Sequence, residues 1–345
     1  MAIKVLIVDD SATARAVVRE VLESDKDIEV VGTAQDAYVA RDKIVELRPD
    51  VVCLDVEMPR MDGITFLKKL MTHMPTPVVM VSSLTQKGAR TTLEALEAGA
   101  VDFVPKPHSN IYDGIDEIKA EIIEKVKAAA KAKVHKARPH TNEPRLSYSA
   151  LSETTDKVIA IGASTGGTEA IKEVLTRLPA NIPGIVIVQH MPPNFTKSFA
   201  DRLNEMCAIE VKEAKNGEFL GVGKALIAPG DFHMVLRRSG ARYYVEIGAG
   251  DKVSGHRPSV DVLFNSVAKT AGANSIGVIL TGMGADGAKG LLSMRKIGAK
   301  TIGQDEESAI VYGMPKVAYE LGAVEKQVRL ERVAETIIKT AESIR

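Results

Sequence analysis

The chain has 345 residues, about twice the usual size of one domain, which predicts two domains. Its 45 basic residues equal its 45 acidic residues, so the charge excludes a global attraction to nucleic acid or to an anionic membrane. Two cysteines, Cys53 and Cys207, are too few for a disulfide scaffold or a structural zinc site. The apolar runs are too short for membrane insertion, and the first residues lack a secretory signal, so we expect a cytoplasmic protein.

Residues 1–126 alternate short β-branched runs with amphipathic stretches. Continuous apolar strands separated by helices indicate a parallel sheet that is covered on both faces, and five such units fit one doubly wound α/β domain. The strand-like runs are KVLIV (4–8), EVVGTA (29–34), DVVCLD (50–55), PVVMVS (77–82) and DFVPK (102–106).

Residues 127–155 are rich in Lys and Arg, contain two prolines and lack apolar periodicity, which predicts a linker rather than a nucleic-acid-binding arm. The alternation of strands and helices resumes in residues 156–345, which predicts a second, larger α/β domain with a parallel sheet. The main strand candidates there are KVIAIGAS (157–164), GIVIVQH (184–190), ALIAP (225–229), YYVEIG (243–248), SIGVILTG (275–282) and KTIGQD (300–305).

Five polar residues end the strands of the first domain: Asp9 and Asp10 the first, Asp55 the third, Ser82 the fourth and Lys106 the fifth. The carboxyl ends of parallel strands share one edge, where ligands bind, so these side chains should converge. Three carboxylates repel one another unless a cation is present, and their oxygens suit Mg²⁺. Asp55 could then accept a phosphoryl group whose oxygens are held by Lys106 and Ser82.

This part of the chain resembles the receiver domain of bacterial response regulators. The resemblance rests on VDDSATAR near the start, LDVEMPRMDG around the third strand end, VSS at 81–83 and VPKP at 104–107. It implies a flavodoxin-like domain with Asp55 as the phosphoacceptor, Asp10 as a direct Mg²⁺ ligand, Asp9 as a ligand through water and the backbone carbonyl of Glu57 as another ligand. It also implies that Phe103 is the switch aromatic, for which a core role is an equal alternative.

The motif GASTGG (162–167) lies between a strand and an amphipathic helix, and two interpretations are open. Glycines at such a turn can cradle a phosphate or a dinucleotide at the helix N-terminus, but Ser164 stands where the dinucleotide motif needs a glycine. Alternatively, Gly162, Ser164 and Gly166 form the G-x-S-x-G of a nucleophile elbow, which exposes the serine hydroxyl. An ordinary N-capping serine would have the same local sequence, so partners must decide.

Partners occur at the same predicted edge of the sheet. His190 follows the strand GIVIVQ, and Asp286 follows the strand SIGVIL within TGMGADG. In a Ser–His–Asp set, the histidine accepts the hydroxyl proton and the acid orients the imidazole. The order Ser, His, Asp along the chain differs from that of α/β-hydrolases, which argues against that family but not against the chemistry. The pattern ranks His190 and Asp286 above the other candidates, which are His233, His256, Asp231, Asp261 and Asp305.

Residues 156–345 resemble the catalytic domain of the CheB methylesterase family. The matching motifs are IGASTGG, VQHMPPNFT, APGDFH, HRPSVDVLF, LTGMGADGAKG and YGMP. The resemblance implies a Rossmann-like, three-layer domain in which Ser164 is the nucleophile, His190 the base and Asp286 the orienting acid. It implies that the backbone N–H of Met283 contributes to the oxyanion hole, with the N–H of Thr165 as one candidate for the second donor.

The family implies hydrolysis of glutamate γ-methyl esters, and deamidation of glutamines, on methyl-accepting chemotaxis receptors. A chemotaxis histidine kinase would be the phosphodonor, Mg²⁺ would serve the receiver, and the esterase reaction would need no cofactor. We hypothesise that the unphosphorylated receiver occludes Ser164 and that phosphorylation of Asp55 relieves this. Two rival functions stay open: a response regulator whose output binds DNA or protein without catalysis, and a hydrolase of small esters that uses the same three residues.

Overall fold

The computed structural model describes residues 2–83, 85–106, 115–133 and 156–344. The chain divides into two compact units, Met1–His140 and Thr141–Arg345. Of the predicted linker 127–155, residues 134–155 lie outside the described residues, and its first four residues belong to a helix. Among the described residues, no helix is both long enough and apolar enough to span a bilayer.

The first unit is built on a five-stranded parallel sheet, as the sequence predicts. Its strands are β1 (Ile3–Val8), β2 (Ile28–Ala34), β3 (Val51–Asp55), β4 (Val78–Ser82) and β5 (Asp102–Pro105). They lie in the order β2-β1-β3-β4-β5, the flavodoxin-like order in which ligands bind beside the end of the first strand. The central strands are buried on both faces, which explains their continuous apolar sequences.

Helices cover the sheet of the first unit, and capping side chains set where several of them begin. Ser11, Asp36 and Asp62 each accept a hydrogen bond from a backbone N–H in the first turn of the following helix. Since these caps lie just beyond the strand ends, the loops that carry the predicted acidic cluster are short. The helices are α1 (Ala12–Glu23), α2 (Ala37–Leu47), α3 (Gly63–His73), α4 (Gln86–Glu97) and α5 (Ile115–Ala130).

The second unit contains a seven-stranded parallel sheet and a three-stranded antiparallel sheet. Its strands are β6 (Val158–Ala163), β7 (Gly184–Gln189), β8 (Glu210–Glu213), β9 (Glu218–Leu220), β10 (Lys224–Ile227), β11 (His233–Ser239), β12 (Arg242–Gly248), β13 (Ser275–Ile279), β14 (Lys300–Gln304) and β15 (Lys326–Val328). The parallel order is β15-β14-β13-β6-β7-β10-β8. The chain therefore changes direction across the sheet between β6 and β13, and such a switch point is where open α/β sheets bind ligands.

The antiparallel sheet, in the order β11-β12-β9, is only partly predicted from the sequence. The pattern identifies residues 243–248 as a strand but not their partner β11. The second half of β11 is exposed and carries Arg237, Arg238 and Ser239, which interrupt the apolar alternation. The sequence feature that marks β11 is Gly240, which lies in the turn between β11 and β12. Its φ is +59°, a value that favours glycine.

The helices of the second unit give it the predicted three layers. They are α6 (Gly167–Thr176), α7 (Phe195–Met206), α8 (Val260–Ala271), α9 (Ala288–Lys296), α10 (Met314–Glu320) and α11 (Leu330–Ser343), with a short 3₁₀ helix at Gly272–Asn274. These helices form two groups. In one group α9 contacts both α8 and α10, and in the other α6 contacts both α7 and α11. A large apolar cluster joins the parallel sheet to α8, α9 and α10 and includes residues of β11 and β12.

Candidate active site and acidic cluster

Ser164 lies on the tight turn between β6 and α6, and its side chain is partly exposed. Gly166, not the serine, is the N-cap of α6, and no side chain caps that helix, so the N-capping interpretation is wrong. The φ of Gly166 is +75°, which favours glycine. At Gly162, a Cβ atom would lie 2.2 Å from Val260 Cγ1, so glycine is needed for the close approach of α8 to β6.

The predicted serine, histidine and aspartate form one hydrogen-bonded chain. Ser164 Oγ lies 3.1 Å from His190 Nδ1, and His190 Nε2 lies 2.9 Å from Asp286 Oδ2. The first two residues end the neighbouring strands β6 and β7, and Asp286 lies in the loop after β13. The ring is reversed relative to trypsin-like proteases, where Nε2 faces the serine. For Nδ1 to accept the hydroxyl proton, the resting imidazole must carry its hydrogen on Nε2, where it donates to Asp286.

Asp286 is buried and accepts hydrogen bonds at both carboxylate oxygens. Ser259 Oγ donates to Oδ1 at 2.8 Å, the Asp261 N–H donates to Oδ1 at 3.1 Å, and the Val260 N–H donates to Oδ2 at 2.7 Å. Burial raises the pKa of Asp286, but the hydrogen bond to His190 and its charge, with the bonds from Ser259 and the Val260 N–H, outweigh burial and hold that pKa below its ordinary value. The carboxylate therefore stays ionised at the positive N-terminus of α8.

Two positioning residues escaped the sequence analysis. Ser259 is the N-cap of α8, and a serine before an apolar helical run is a recognisable start signal. Gln189 is the last residue of β7, and its Nε2 donates to the carbonyls of Ser164, at 3.0 Å, and His190, at 3.3 Å. The sequence offers no signal for this role of Gln189, because polar residues are common at strand ends.

The rival histidines occupy different positions. His233 accepts a hydrogen bond at Nδ1 from the Ser259 N–H and donates from Nε2 to the carbonyl of Asp251, so both of its ring nitrogens serve the backbone. His256 stacks on His190, with ring centroids 3.8 Å apart and planes 15° apart. The rival acids also have other contacts: Asp231 with Arg257 (2.6 Å), Asp261 with the Gly290 N–H (2.6 Å) and Asp305 with Ser308 Oγ (2.7 Å).

The loop after β13 packs directly against the nucleophile turn. A Cβ atom at Gly282 would lie 2.8 Å from Ser164 Cβ and 2.4 Å from Met314 Sδ, so only glycine fits there. The Gly282 N–H donates to the Val311 carbonyl, and its own carbonyl accepts from Met314, which fixes the loop from the other side. The next residue is Met283, whose N–H has no acceptor within the described part of the chain.

The acidic residues at the strand ends of the first unit converge. One carboxylate oxygen from each of Asp9, Asp10 and Asp55 lies within 4.8 Å of the others. Lys106 Nζ lies 2.7 Å from Asp55 Oδ2 and 3.1 Å from Asp9 Oδ2. Glu57 lines an open pocket together with Asp10, and its backbone N–H contributes to lowering the pKa of the Asp55 carboxyl.

The chemistry of this cluster fits a divalent cation. Asp9 and Asp55 are buried, whereas Asp10 is exposed towards the pocket. Burial raises the pKa of Asp55 to about 6, the charge of Asp9 adds to this, and Lys106 opposes it. The cluster thus holds two more acids than the single ammonium of Lys106 neutralises, and carboxylate oxygens are the ligands that Mg²⁺ prefers.

Ser82 lies on β4, the neighbour of the strand that carries Asp55, and Phe103 lies on β5, the next strand along the sheet. The Ser82 hydroxyl is buried and accepts a 2.7 Å hydrogen bond from Thr92 of α4. Phe103 is 2% exposed, and Lys125 Nζ lies 4.8 Å from its ring centroid. Phe103 is therefore buried in the core in this conformation, and its role as a switch aromatic stays a prediction.

Comparison with known proteins assigns both units to known domain families. Residues 159–337 match the CheB methylesterase family and residues 5–115 match the response regulator receiver domain. A protein from Sulfurimonas denitrificans, named protein-glutamate methylesterase/protein-glutamine glutaminase, is 64% identical over 333 residues, which cover 94% of each chain. The chain belongs to the CheB methylesterase family.

A second relative is similar over nearly the whole chain, and a solved structure is similar to its catalytic domain. A protein from Syntrophus aciditrophicus, protein-glutamate methylesterase/protein-glutamine glutaminase 2, is 59% identical over 340 residues, 98% of each chain. The crystal structure of the Thermotoga maritima CheB methylesterase catalytic domain is 39% identical, with a TM-score of 0.52, and covers 53% of this chain and 98% of that one. The predicted family, α/β fold and enzyme class are thereby confirmed.

Proposed function

We propose that this chain hydrolyses glutamate γ-methyl esters in proteins, and deamidates glutamines, by means of Ser164, His190 and Asp286. The observation that carries the proposal is the continuous hydrogen-bonded chain from Asp286 through His190 to Ser164 Oγ. The names of the relatives supply the substrate: each is a protein-glutamate methylesterase and protein-glutamine glutaminase. Methyl-accepting chemotaxis receptors are the proteins on which the proposed reaction takes place.

The proposed reaction runs through an acyl-enzyme. Ser164 Oγ attacks the ester carbonyl carbon while His190 Nδ1 takes its proton, and ionised Asp286 stabilises the imidazolium that results. The proton passes from Nδ1 to the leaving methoxide, which departs as methanol. His190 Nδ1 then takes a proton from water as the water oxygen attacks the acyl carbon. It returns this proton to Ser164 Oγ as the acyl–oxygen bond breaks, which releases glutamate and regenerates the serine. With a glutamine substrate, ammonia leaves in place of methanol.

The oxyanion of the tetrahedral intermediate needs fixed hydrogen-bond donors. The N–H of Met283 suits this role because the Gly282 backbone lies against Ser164 and is itself held by Val311. The N–H of Thr165, next to the nucleophile, is the second donor in this proposal. Each such donor is worth about 10²–10³ in kcat in comparable enzymes.

The receiver is proposed to control this activity through phosphorylation of Asp55 by a chemotaxis histidine kinase. Asp9, Asp10, Asp55 and the carbonyl of Glu57 would hold Mg²⁺, which supplies positive charge to the phosphoryl oxygens when it is bound. Lys106 already contacts Asp55 and would bind one phosphoryl oxygen. Ser82 lies on β4, its hydrogen-bond partner Thr92 on α4, and Phe103 on β5. In this proposal these side chains respond to the new charge on Asp55.

Methanol release from methylated receptor tests the proposal in the full chain, with and without a small-molecule phosphodonor plus Mg²⁺. We expect Ser164→Ala to lower the rate by at least about 10³-fold, since it removes the nucleophile. The matched control Ser293→Ala, at a half-buried position of α9 where the hydroxyl only donates to the Lys289 carbonyl, should keep the wild-type rate. Wild-type turnover by Ser164→Ala would refute the catalytic assignment.

Two further arms separate the parts of the proposal. Asp55→Asn should keep basal turnover but lose the response to phosphodonor, and a normal response in this variant would refute control through Asp55. A chain that hydrolyses a small ester but releases no methanol from the receptor would be a small-ester hydrolase instead. A chain that does neither, yet binds receptor, would be a non-catalytic output domain.

A further inference from the structure

His256 contacts the catalytic histidine without being part of the hydrogen-bonded chain. Its ring lies flat on the His190 ring, with centroids 3.8 Å apart and an angle of 15° between the planes. This is the stacked geometry in which two rings share the largest contact area. His190 is thus held at its two nitrogens by Ser164 and Asp286 and across one face by His256.

A tight hairpin holds the stacked ring in place. Val253 and His256 exchange two backbone hydrogen bonds, of 3.1 Å and 3.0 Å, across Ser254 and Gly255. The φ values of those two residues are +54° and +81°, as a two-residue turn of type I′ requires. The hairpin therefore has a defined shape, and the ring at its end is not on a free loop.

The base of this hairpin is fastened to the rest of the second unit. Arg257 donates from Nη1 to the carbonyl of Gly250 at 2.6 Å, and from Nε and Nη2 to Asp231 at 3.0 Å and 2.6 Å. Two residues later, the Ser259 N–H donates to His233 Nδ1. The segment from 256 to 261 consequently supplies both the ring on the base and the donors that hold Asp286.

We infer that His256 is a positioning residue, whose flat ring fixes the plane of the His190 imidazole. The inference rests on the proposed function, in which His190 moves protons between Ser164 and the leaving group. Rotation of the imidazole about its Cβ–Cγ bond would move Nδ1 away from Ser164 and Nε2 away from Asp286 at the same time. A stacked neighbour opposes that rotation by contact, and misplacement of catalytic groups by about 1 Å can cost about 10²-fold in rate.

The inference makes the shape of the ring decisive, not its charge or its hydrogen bonds. His256→Phe keeps a flat aromatic ring, whereas His256→Leu keeps apolar volume but removes the flat face. We expect the kcat for methyl ester hydrolysis to stay within about 3-fold of wild type in His256→Phe and to fall about 10-fold or more in His256→Leu. KM should change by less than about 2-fold in both, because the residue acts through His190.

The experiment uses the full chain with methylated receptor, and it includes Ser164→Ala and His73→Leu. His73 is exposed in the first unit, so His73→Leu controls for the loss of a histidine as such. Loss of activity in Ser164→Ala together with wild-type kcat in His256→Leu would overturn the inference and leave the proposed function intact. Equal losses in His256→Phe and His256→Leu would also overturn it, since a ring of the right shape would then not suffice. An active Ser164→Ala would overturn both.

A second measurement does not depend on turnover. In protein labelled with ¹⁵N-histidine, the His190 ring should keep one neutral tautomer in wild type and in His256→Phe. In His256→Leu, the two ring nitrogens should move towards averaged shifts as the hydrogen bonds to Ser164 and Asp286 loosen. Unchanged His190 shifts in His256→Leu would overturn the inference even if that variant had lost activity through partial unfolding.

Discussion

Ser259 and Asp286 share a 2.8 Å hydrogen bond at the first turn of α8. The same Ser259 hydroxyl accepts a hydrogen bond from the Val262 N–H at 3.4 Å, so one side chain both caps the helix and donates to the catalytic carboxylate. The start of α8 thus connects the stability of a helix with the ionisation of Asp286. Gly162 makes this possible, because any larger residue there would displace Val260 from β6.

The Ser259→Ala variant should therefore lose both stability and activity. Removal of the cap should lower the free energy of unfolding of the second domain by about 1 kcal/mol. Removal of one donor to a buried carboxylate should lower kcat by about 10-fold and raise the pKa of Asp286. Calorimetry and kcat for ester hydrolysis measure the two effects. In the control Ser11→Ala, the cap of α1 is lost, so the free energy of unfolding should fall without a change in basal kcat. An unchanged kcat in Ser259→Ala would show that its hydrogen bond to Asp286 is unimportant for catalysis.

Gly282→Ala tests the packing of the β13 loop against the nucleophile. A methyl group at Gly282 would lie 2.8 Å from Ser164 Cβ, which is closer than carbon atoms approach, so Met283 and Ser164 must separate. We expect kcat to fall by at least about 100-fold, measured as methanol release, because the proposed oxyanion donor moves with the loop. Gly248→Ala is a matched control, since nothing lies within 4 Å of an added Cβ there, and it should keep the wild-type kcat. Similar rates for the two variants would show that the loop contact is unimportant.

The orientation of the His190 ring predicts its tautomer. Because Nε2 faces Asp286 and Nδ1 faces Ser164, neutral His190 should carry its hydrogen on Nε2. The ¹⁵N shifts of histidine-labelled protein at a pH where the ring is neutral measure this directly. Asp286→Asn should remove the preference, because an amide can also donate to the ring. A resting ring protonated on Nδ1 would contradict the orientation and would reverse the proposed proton path.

The sequence predicts the parts of both sites that follow from parallel strands. Asp9 and Asp55 end neighbouring strands β1 and β3, so the pattern alone brings them to one edge. The strand-end argument likewise predicts a common edge for Ser164 and His190, which the structure places within hydrogen-bond distance. Their catalytic roles stay a prediction.

The rest of the site depends on loops and on side-chain orientation. His256 reaches the His190 ring through a hairpin stabilised by Arg257, and no periodicity encodes that path. The reversed orientation of the imidazole follows from which donors surround Asp286, which only coordinates reveal. In the same way, the exposed arginines of β11 conceal a strand whose partner, β12, is easily recognised.

The buried carboxyl of Asp55 has a cost for folding that depends on pH. Its pKa in the folded chain is about 6, because of burial and the charge of Asp9, whereas an unfolded aspartate has a pKa of about 3.9. Between these values the folded state binds more protons than the unfolded state, so the free energy of unfolding falls as pH rises from about 4 to about 6 and is then constant. Mg²⁺ bound to ionised Asp55 would offset this cost.

The Asp55→Asn variant should accordingly stabilise the first domain at neutral pH. With chelator present, we expect a gain of about 3 kcal/mol above pH 6 that shrinks towards zero near pH 4, because Asp55 is then protonated in both states. Calorimetry of the full chain measures this gain. The thermal unfolding transition of the first domain is identified as the one whose midpoint shifts when Mg²⁺ is added to wild type. Added Mg²⁺ should stabilise wild type more than the variant and so narrow the difference. Asp50→Asn, at an exposed position beside Lys4, is the control for the loss of an aspartate as such, and Mg²⁺ should stabilise it as much as wild type. A gain that is largest near pH 4 would mean that Asp55 has a lowered pKa instead, and that Lys106 outweighs burial.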